Sequence, residues 1–270
     1  MEALTRGTAH LDTGVTVPYV SIGDAEGPPL VLLHGWGESA GVFERLLPGL
    51  PERYRVFAFD QRGHGEATKP HSGYALKDTA DDVRAFLDAV GVEFAVLLGS
   101  SSGGYIAQQV AVSWPPRVKA LILVGAPRSL AGTPSFAAEV NALSDPIDPA
   151  WVRQSLEWFP LAAPVPEEYL NDRVRDGVRT PAHVWQMALA GFGSARAPTE
   201  VGEILCPTLI IRGERDEVIP DAEHEALARS IPGSQLRRYS DTGHLVLWER
   251  PDLVAADVTE FLAGVTGHSS

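Results

Sequence analysis

The chain has 270 residues, of which 44% are hydrophobic, and a formal net charge of −13 at pH 7. This length fits one large α/β domain or a core with an inserted subdomain, and the composition is that of an ordinary globular protein. The acidic balance excludes the basic surface of a nucleic-acid-binding protein, so we expect no nucleic-acid partner.

The sequence also bears on compartment and membrane association. Cys206 is the single cysteine, so no disulfide can form within the chain, which fits a reducing, cytoplasmic setting. Residues 1–10 contain no apolar run typical of a signal peptide, and no apolar run reaches membrane-spanning length. We therefore expect a cytoplasmic protein with no membrane partner. A homodimer is compatible with the sequence, which does not fix the oligomeric state.

Strand-like and helical patterns alternate from the start of the chain. Apolar or alternating runs predict strands at residues 8–12, 15–22, 30–33 and 56–59. A glycine turn between the first two strands predicts a β-hairpin. Apolar side chains then recur at helical spacing over residues 76–90, and Gly91 is expected to end that helix.

A serine within a glycine-framed turn follows the next apolar run, residues 94–98. Gly99 and Gly103 frame Ser101 as G-x-S-x-G, and apolar residues at helical spacing come after it. Strand, sharp turn and helix in this order are the context of a nucleophile elbow, which forces the central side chain out of the turn. Ser102 also has small neighbours, but only Ser101 has glycine at both flanking positions, so we choose Ser101.

The character of the chain changes after a further predicted strand at residues 120–124. Strand-like runs are missing from residues 128–198, which are rich in proline and contain three of the six tryptophans. This composition predicts a helical insertion. The last third of the chain returns to strands, predicted at 208–211 and 236–239, and to helices, predicted at 221–231 and 251–263.

Continuous apolar strands that alternate with amphipathic helices predict the α/β class, with a mostly parallel sheet covered on both faces. We expect a core made of residues 1–127 and 199–270, with residues 128–198 as an inserted helical cap. Ligands bind outside the carboxyl ends of the strands in such sheets. The glycine-rich turns all lie at these ends, which unites them into one predicted site.

A serine hydroxyl needs a base to act as a nucleophile, and a histidine base needs a carboxylate to orient it. Asp216 and His244 each follow one of the last two predicted strands, so the chain order is Ser101, Asp216, His244. Asp241 lies three residues before His244 and is the alternative acid. A turn-capping role is the preferred interpretation of Asp241.

Taken together, these motifs resemble the α/β-hydrolase fold superfamily over essentially the whole chain. The turns that match the family pattern are the HG-x-G turn His34-Gly35-Trp36-Gly37, the D-x-R-G-x-G turn at 60–65, the G-x-x-D-x-x-x-P turn at 213–220 and the histidine loop Thr242-Gly243-His244. Residues 128–198 occupy the place of the family's helical cap. The elbow departs from the family, which often has His-Ser-Met where this chain has Ser100-Ser101-Ser102.

The resemblance implies a role for each matched residue. Ser101 would attack an acyl carbon, His244 would move its proton, and Asp216 would orient His244. The backbone N–H groups of Trp36 and Ser102 would form the oxyanion hole, and water would complete turnover. No cofactor or metal is implied, and the sequence contains no HxHxDH or HExxH spacing for a metal site.

Candidate substrate-binding residues come from the cap and from the HG-x-G turn at residues 34–37, which we call the oxyanion turn after the role that the resemblance implies. They are His34, Gly35, Trp151, Trp158, Trp185, His183 and Phe192. The alternative for the cap residues is that they pack the cap against the core. For His34 and His64 we prefer hydrogen bonding to loop backbone, and for Arg62 a salt bridge that pins loops. The remaining histidines are interpreted as surface residues: His10, His71, His224 and His268.

The leading hypothesis is a serine hydrolase that cleaves a small to medium carboxylic ester or lactone, with a small-molecule substrate as its partner. A serine nucleophile argues against haloalkane dehalogenase and epoxide hydrolase chemistry, which use an aspartate in the same fold. A carbon–carbon bond hydrolase and a cofactor-free perhydrolase or haloperoxidase remain alternatives with the same triad. A slow-turnover ligand receptor is a further alternative, because fold does not decide function.

Overall fold

A computed structural model describes residues 4–266, and an eight-stranded sheet forms its centre. The strands are β1 (Thr5–His10), β2 (Thr16–Ile22), β3 (Pro29–Leu33), β4 (Arg55–Phe59), β5 (Ala95–Ser100), β6 (Val118–Val124), β7 (Thr208–Gly213) and β8 (Gln235–Tyr239). Their spatial order is β1-β2-β4-β3-β5-β6-β7-β8. The first two strands form the predicted hairpin, which pairs antiparallel with β4. All other neighbours, from β4 to β8, are parallel.

Helices occupy most of the remaining chain. Within residues 4–266 they are α1 (Leu76–Ala89), α2 (Ser102–Ser113), α3 (Ala137–Asn141), α4 (Pro149–Ser155), α5 (Glu167–Arg179), α6 (Ala182–Gly193), α7 (Pro198–Val201), α8 (Asp221–Ser230), α9 (Val246–Glu249) and α10 (Pro251–Thr266). Short 3₁₀ turns span Ala40–Phe43, Leu47–Gly49, Pro115–Arg117 and Leu156–Trp158. In this part of the chain, no helix combines the length and the apolarity needed to span a membrane.

The sheet is covered on both faces, as its apolar strands predict. Alternate side chains of β3 point to opposite faces, so Val31 packs with α1 and α2 while Leu32 packs with α10. Because both faces are buried, the central strands are apolar throughout rather than alternating. The predicted α/β class with a mostly parallel, doubly covered sheet is confirmed.

Helices α3 to α7 all lie between β6 and β7 in the chain. Part of this segment has its own apolar cluster, in which Trp185 packs with Val140, Ile147 and Val152. The division into a core and a cap at residues 128–198 stays a prediction.

Parallel pairing brings the carboxyl ends of β3, β5, β7 and β8 to one edge of the sheet. The loops that leave these ends carry the oxyanion turn, Ser101, Asp216 and His244. The topology therefore gathers residues that are far apart in sequence at a single edge.

Candidate active site

The turn around Ser101 holds a strained backbone that only close packing of glycines permits. Ser101 has φ 49° and ψ −121°, and α2 begins at the next residue. A Cβ at Gly99 would lie 2.4 Å from the backbone oxygen of Gly103, and one at Gly103 would lie 2.2 Å from that of Leu33. Glycine at both positions allows this approach, and the turn displays Ser101 at the cost of about 1–3 kcal/mol of strain.

Ser101, His244 and Asp216 form a continuous hydrogen-bonded chain. The Oγ atom of Ser101 lies 3.0 Å from Nε2 of His244, and Nδ1 of His244 lies 2.9 Å from Oδ2 of Asp216. Because Oδ2 of Asp216 accepts a hydrogen bond from Nδ1–H of His244, the proton of the neutral ring stays on Nδ1, and Nε2 is left as an acceptor that faces the serine hydroxyl. The structure places Ser101, rather than Ser102, next to His244.

The side chain of Asp216 is fully buried and accepts hydrogen bonds on both oxygens. The backbone N–H groups of Val218 and Ile219 donate to Oδ1, each over 2.9 Å. On the other oxygen, Nε2 of His224 lies 3.4 Å away, in addition to His244. Burial raises the pKa of Asp216, but hydrogen bonds from His224 and His244 outweigh it and hold the pKa well below its usual value. Asp216 is therefore ionised at neutral pH.

His224 is wrongly predicted as a surface residue. It is completely buried, on the first turn of α8, and faces Asp216. We call the G-x-x-D-x-x-x-P turn at residues 213–220 the acid turn. The position of His224 one helical turn after it is the sequence signal that could have revealed this contact. The expectations for His10 and His71 are confirmed, since both are exposed, and His268 lies outside the described residues.

Asp241, the alternative acid, lies at the surface. It forms an ion pair with the guanidinium of Arg215, and more than half of each side chain is exposed. Its φ of 50° is a turn conformation that aspartate tolerates. The structure thus places Asp216, and not Asp241, against His244.

The oxyanion turn is fixed by buried hydrogen bonds. Nδ1 of His34 donates to the oxygen of Gly35 over 2.8 Å, since Nε2 of His34 already accepts the N–H of Gln61. Glu38 accepts the N–H of Gly35 over 2.6 Å. Burial lowers the pKa of His34 to about 4, so the ring stays neutral at neutral pH. Both the N–H and the carbonyl oxygen of Gly35 are therefore hydrogen-bonded to buried side chains, which fixes the conformation of the turn.

The two candidate oxyanion donors differ in their surroundings. The N–H of Trp36 donates to Oγ of Ser102 over 2.8 Å. The N–H of Ser102 belongs to the first turn of α2, where backbone N–H groups have no acceptor within the helix. Both residues line the cavity that also exposes Ser101 and His244.

The neighbouring turn at 60–65 behaves as the sequence predicts. Arg62 forms two hydrogen bonds of 2.7 Å with Asp82, a buried salt bridge between a loop and α1. Nδ1 of His64 donates to the backbone oxygen of Arg62. Burial lowers the pKa of His64 to about 3. His34 and His64 thus hydrogen-bond to loop backbone, and Arg62 forms a salt bridge that holds its loop to α1, which are the contacts expected of them.

Ser101 and His244 line a cavity of about 800 Å³ whose wall includes several aromatic side chains. The rings of Phe136 and Trp158 stack with centroids 4.4 Å apart, and Phe159 stacks on the ring of His244 at 5.6 Å. The aromatic residues of the wall are Trp36, Phe136, Trp158, Phe159, Trp185, Phe192 and Trp248. These rings offer an apolar surface, with the polar side chains of Ser101 and His244 in the same cavity.

The structure places four of the predicted substrate-binding residues in this wall, namely Gly35, Trp158, Trp185 and Phe192. Sequence reasoning missed Phe136, Phe159 and Trp248. Apart from their aromatic character, we identify no sequence signal that marks them as wall residues.

Three predicted substrate-binding residues lie outside the wall. His34 is behind the oxyanion turn, with both ring nitrogens engaged. Trp151 packs edge-on against Trp158 and Trp185, so it supports wall residues from outside. His183 hydrogen-bonds to the backbone oxygen of Pro70 and packs beside His71.

Glu249 connects the histidine loop to the segment that follows α4. Its Oε1 accepts the N–H of Gly243 over 3.0 Å, and its Oε2 accepts those of Ala162 and Ala163 over 3.0 and 2.7 Å. Burial raises the pKa of Glu249, although these three hydrogen bonds oppose the shift. Glu249 thereby joins the loop that carries His244 to the chain shortly after the wall residue Phe159.

The comparisons with known proteins agree with this geometry. The family model described as alpha/beta hydrolase fold matches residues 28–163 and 130–251. The pimeloyl-(acyl-carrier protein) methyl ester esterase of Aeromonas hydrophila is 32% identical over 223 residues, covering 78% of this chain and 85% of that protein. The non-heme chloroperoxidase of Streptomyces lividans is 27% identical over 95% of this chain and 99% of its own length.

A solved structure also shares the fold described above. An esterase from Exiguobacterium antarcticum superposes with a TM-score of 0.81 at 26% identity, over 96% of this chain and 98% of that one. Since the family model matches most of the sequence and the sheet has the mostly parallel order described above, this chain belongs to the alpha/beta hydrolase fold family.

Proposed function

We propose that the protein is a serine hydrolase that cleaves a small to medium carboxylic ester or lactone through an acyl-enzyme. The observation that supports this most strongly is the hydrogen-bonded chain from Ser101 through His244 to Asp216 at the wall of a large apolar cavity. The similarity to a methyl ester esterase also favours ester chemistry.

In the first half of the reaction, Oγ of Ser101 attacks the carbonyl carbon while Nε2 of His244 takes the hydroxyl proton. The carbonyl oxygen becomes an oxyanion. When the oxyanion collapses, the bond to the leaving oxygen breaks, and His244 gives its proton to that oxygen. The acyl group remains on Ser101, and an alcohol is released, or stays attached when the substrate is a lactone.

In the second half, a water molecule gives one proton to His244 and attacks the acyl carbon. The bond to Ser101 then breaks, and the serine recovers its proton from His244. The products are a carboxylic acid and a free enzyme. Asp216 stays ionised throughout and stabilises the imidazolium that forms twice in each cycle.

The backbone N–H groups of Trp36 and Ser102 would stabilise the oxyanion. Oγ of Ser102 accepts the N–H of Trp36, so a substrate oxygen has to replace that hydroxyl as the acceptor. One such donor contributes about 2.7–4 kcal/mol to the transition state in acyl transfer. The helix that starts at Ser102 favours negative charge at the same point.

Most rings of the cavity wall come from the segment between β6 and β7. We propose that residues 128–198 act as a cap that selects the substrate, and that its acyl or alcohol part is apolar or ring-bearing. Phe136 and Trp158 offer the flat apolar surface that such a group requires.

The decisive experiment is labelling with a fluorophosphonate probe, measured by intact mass and peptide mapping. The wild-type protein should take one adduct, on Ser101. The variant Ser101→Ala should take none, and Ser102→Ala, with the same loss of a hydroxyl one residue away, should still be labelled. An adduct on Ser102, or a folded wild-type protein that takes no label, would contradict the proposal.

Turnover distinguishes hydrolysis from ligand reception. We expect many turnovers per molecule on p-nitrophenyl esters or simple lactones. A single turnover with negligible steady-state rate would instead indicate a receptor.

A second candidate is perhydrolysis, which the similarity to a chloroperoxidase over 95% of the chain favours. Here hydrogen peroxide replaces water in the second half: it gives a proton to His244 and attacks the acyl carbon, the bond to Ser101 breaks, the serine recovers the proton, and a peracid is released. Peroxide-dependent bromination in acetate buffer, lost in Ser101→Ala, would support this activity.

A further inference from the structure

A second imidazole contacts the carboxylate of Asp216. Helix α8 begins just after Pro220, and its first turn directs His224 back to the acid turn. Nε2 of His224 lies 3.4 Å from Oδ2 of Asp216, and both side chains are fully buried. The proposed reaction gives this histidine no role.

The hydrogen-bonding pattern fixes which nitrogen of His224 carries the proton. Nδ1 is buried and has no hydrogen-bond partner among residues 4–266. A proton on Nδ1 would leave the lone pair of Nε2 facing a carboxylate oxygen, which is repulsive. A proton on Nε2 makes a charge-assisted hydrogen bond to Asp216 instead. Nε2 therefore donates to Asp216, and Nδ1 remains an unpaired acceptor.

An unpaired buried nitrogen destabilises the folded protein. A leucine at position 224 would fill similar space without this penalty. The compensating interaction of His224 is its hydrogen bond to Asp216, because the ring is completely buried and its other nitrogen has no partner among the described residues.

The hydrogen bond from His224 joins the other hydrogen bonds that orient the carboxylate of Asp216. Val218 and Ile219 hold Oδ1 through their backbone N–H groups, while Oδ2 receives His224 and His244. With donors on both oxygens, the plane of the carboxylate is fixed. The oxygen that faces His244 then keeps its position while His244 gains and loses a proton at Nε2.

We propose that His224 is a positioning residue, whose Nε2–H holds Oδ2 of Asp216 in the orientation that binds Nδ1 of His244. This role rests on the function proposed above for Asp216 and His244. Pro220 and Glu223 line the cavity, whereas His224 does not. A positioning role therefore affects kcat and leaves KM unchanged.

The test compares His224→Leu with His224→Gln on the p-nitrophenyl ester that the wild-type protein hydrolyses fastest. Leucine removes the donor, while the amide nitrogen of glutamine can replace Nε2. We expect kcat to fall about tenfold or more in the leucine variant, since a hydrogen bond to a charged group is lost. KM should stay within about twofold, and glutamine should restore most of kcat.

Leu227→Ala is the matched packing control. Leu227 is fully buried on the same helix and is apolar, so its truncation should lower the melting temperature without lowering kcat. If His224→Leu fails to fold, His224→Asn takes its place, because its shorter amide does not reach Asp216.

Three results would overturn the role of His224. They are a folded leucine or asparagine variant with wild-type kcat, a change confined to KM, and a folded glutamine variant as slow as the leucine variant. If the wild-type protein neither labels at Ser101 nor hydrolyses esters, the proposed function fails, and this role fails with it. An active wild type with an equally active variant removes the role alone.

Discussion

Replacing one oxygen of Asp216 by an NH₂ group tests the proposed chemistry most directly. In Asp216→Asn, the N–H groups of Val218 and Ile219, each 2.9 Å from Oδ1, require an oxygen at that position. The amide must therefore turn its NH₂ group toward His244. This group donates, so Nδ1 of His244 has to accept, and its proton moves to Nε2.

The magnitude follows from this change of tautomer. With a proton on Nε2, His244 cannot take the proton of Ser101, although the 3.0 Å contact between them is kept. In serine proteases with this triad, the same substitution lowers kcat about 10⁴-fold. That factor corresponds to about 5 kcal/mol of transition-state stabilisation. The new NH₂ group also faces Nε2–H of His224, which adds to the penalty.

The assay is the initial rate of p-nitrophenyl ester hydrolysis at neutral pH, with circular dichroism to establish folding. Asp241→Asn is the matched control, because it makes the same change three residues before His244. Asp241 is exposed and has φ 50°, which asparagine tolerates, so full activity is expected. A folded Asp216→Asn variant with a rate within tenfold of the wild-type rate would refute the reasoning. A loss of activity in Asp241→Asn would assign the role of the acid to Asp241 instead.

Other predictions concern stability and pH. Gly103→Ala puts a Cβ 2.2 Å from the backbone of β3 and should cost more than about 2 kcal/mol in urea denaturation. Gly264→Ala is the control, because outside its own helix the added Cβ meets no heavy atom of the described residues within 4 Å, and this change should not destabilise the protein. Glu249→Gln turns an NH₂ group toward backbone N–H groups that need an acceptor, so the free energy of unfolding should fall by about 2 kcal/mol, and kcat should fall as well. The exposed control Glu260→Gln should change neither quantity. Burial lowers the pKa of His34 from 6.5 to about 4, so the unfolded chain binds more protons between these values. Folding stability should therefore fall by about 3 kcal/mol on acidification through this window.

Each of these predictions has a contradicting result. A stable Gly103→Ala variant would mean that the elbow tolerates a wider turn than its contacts allow. Wild-type kcat in Glu249→Gln would show that the histidine loop does not depend on its fastening. A free energy of unfolding that stays constant from pH 6.5 to 4 would contradict the buried, neutral state of His34.

The strands and the clustering of Ser101, Asp216 and His244 could be predicted because each leaves a local signal. Runs such as residues 30–33 are apolar at every position, which requires a strand buried on both faces. Gly99 and Gly103 record a close approach of backbones that no other residue permits. Parallel pairing then explains why Ser101 and the later loops meet at one edge of the sheet.

The surroundings of the reaction centre could not be predicted, because they depend on contacts between distant segments. Trp151 and Trp158 look alike in the sequence, yet one supports the wall of the cavity and the other forms it. His34 follows a strand that ends at the site, but hydrogen bonds from the next turn hold it behind the wall. His224 is a lone histidine in a polar helix, and only the path of α8 buries it.

The positive φ of Ser101 implies a trade-off between stability and activity at a single position. Glycine adopts this conformation at little cost, so Ser101→Gly relieves strain while it removes the hydroxyl. Selection for folding alone would thus discard the residue on which the proposed chemistry depends. Because the glycines set the turn, they present whichever side chain occupies position 101 to the same point of the cavity. A substitution at this one position therefore changes the chemistry offered to the cavity without rebuilding the fold.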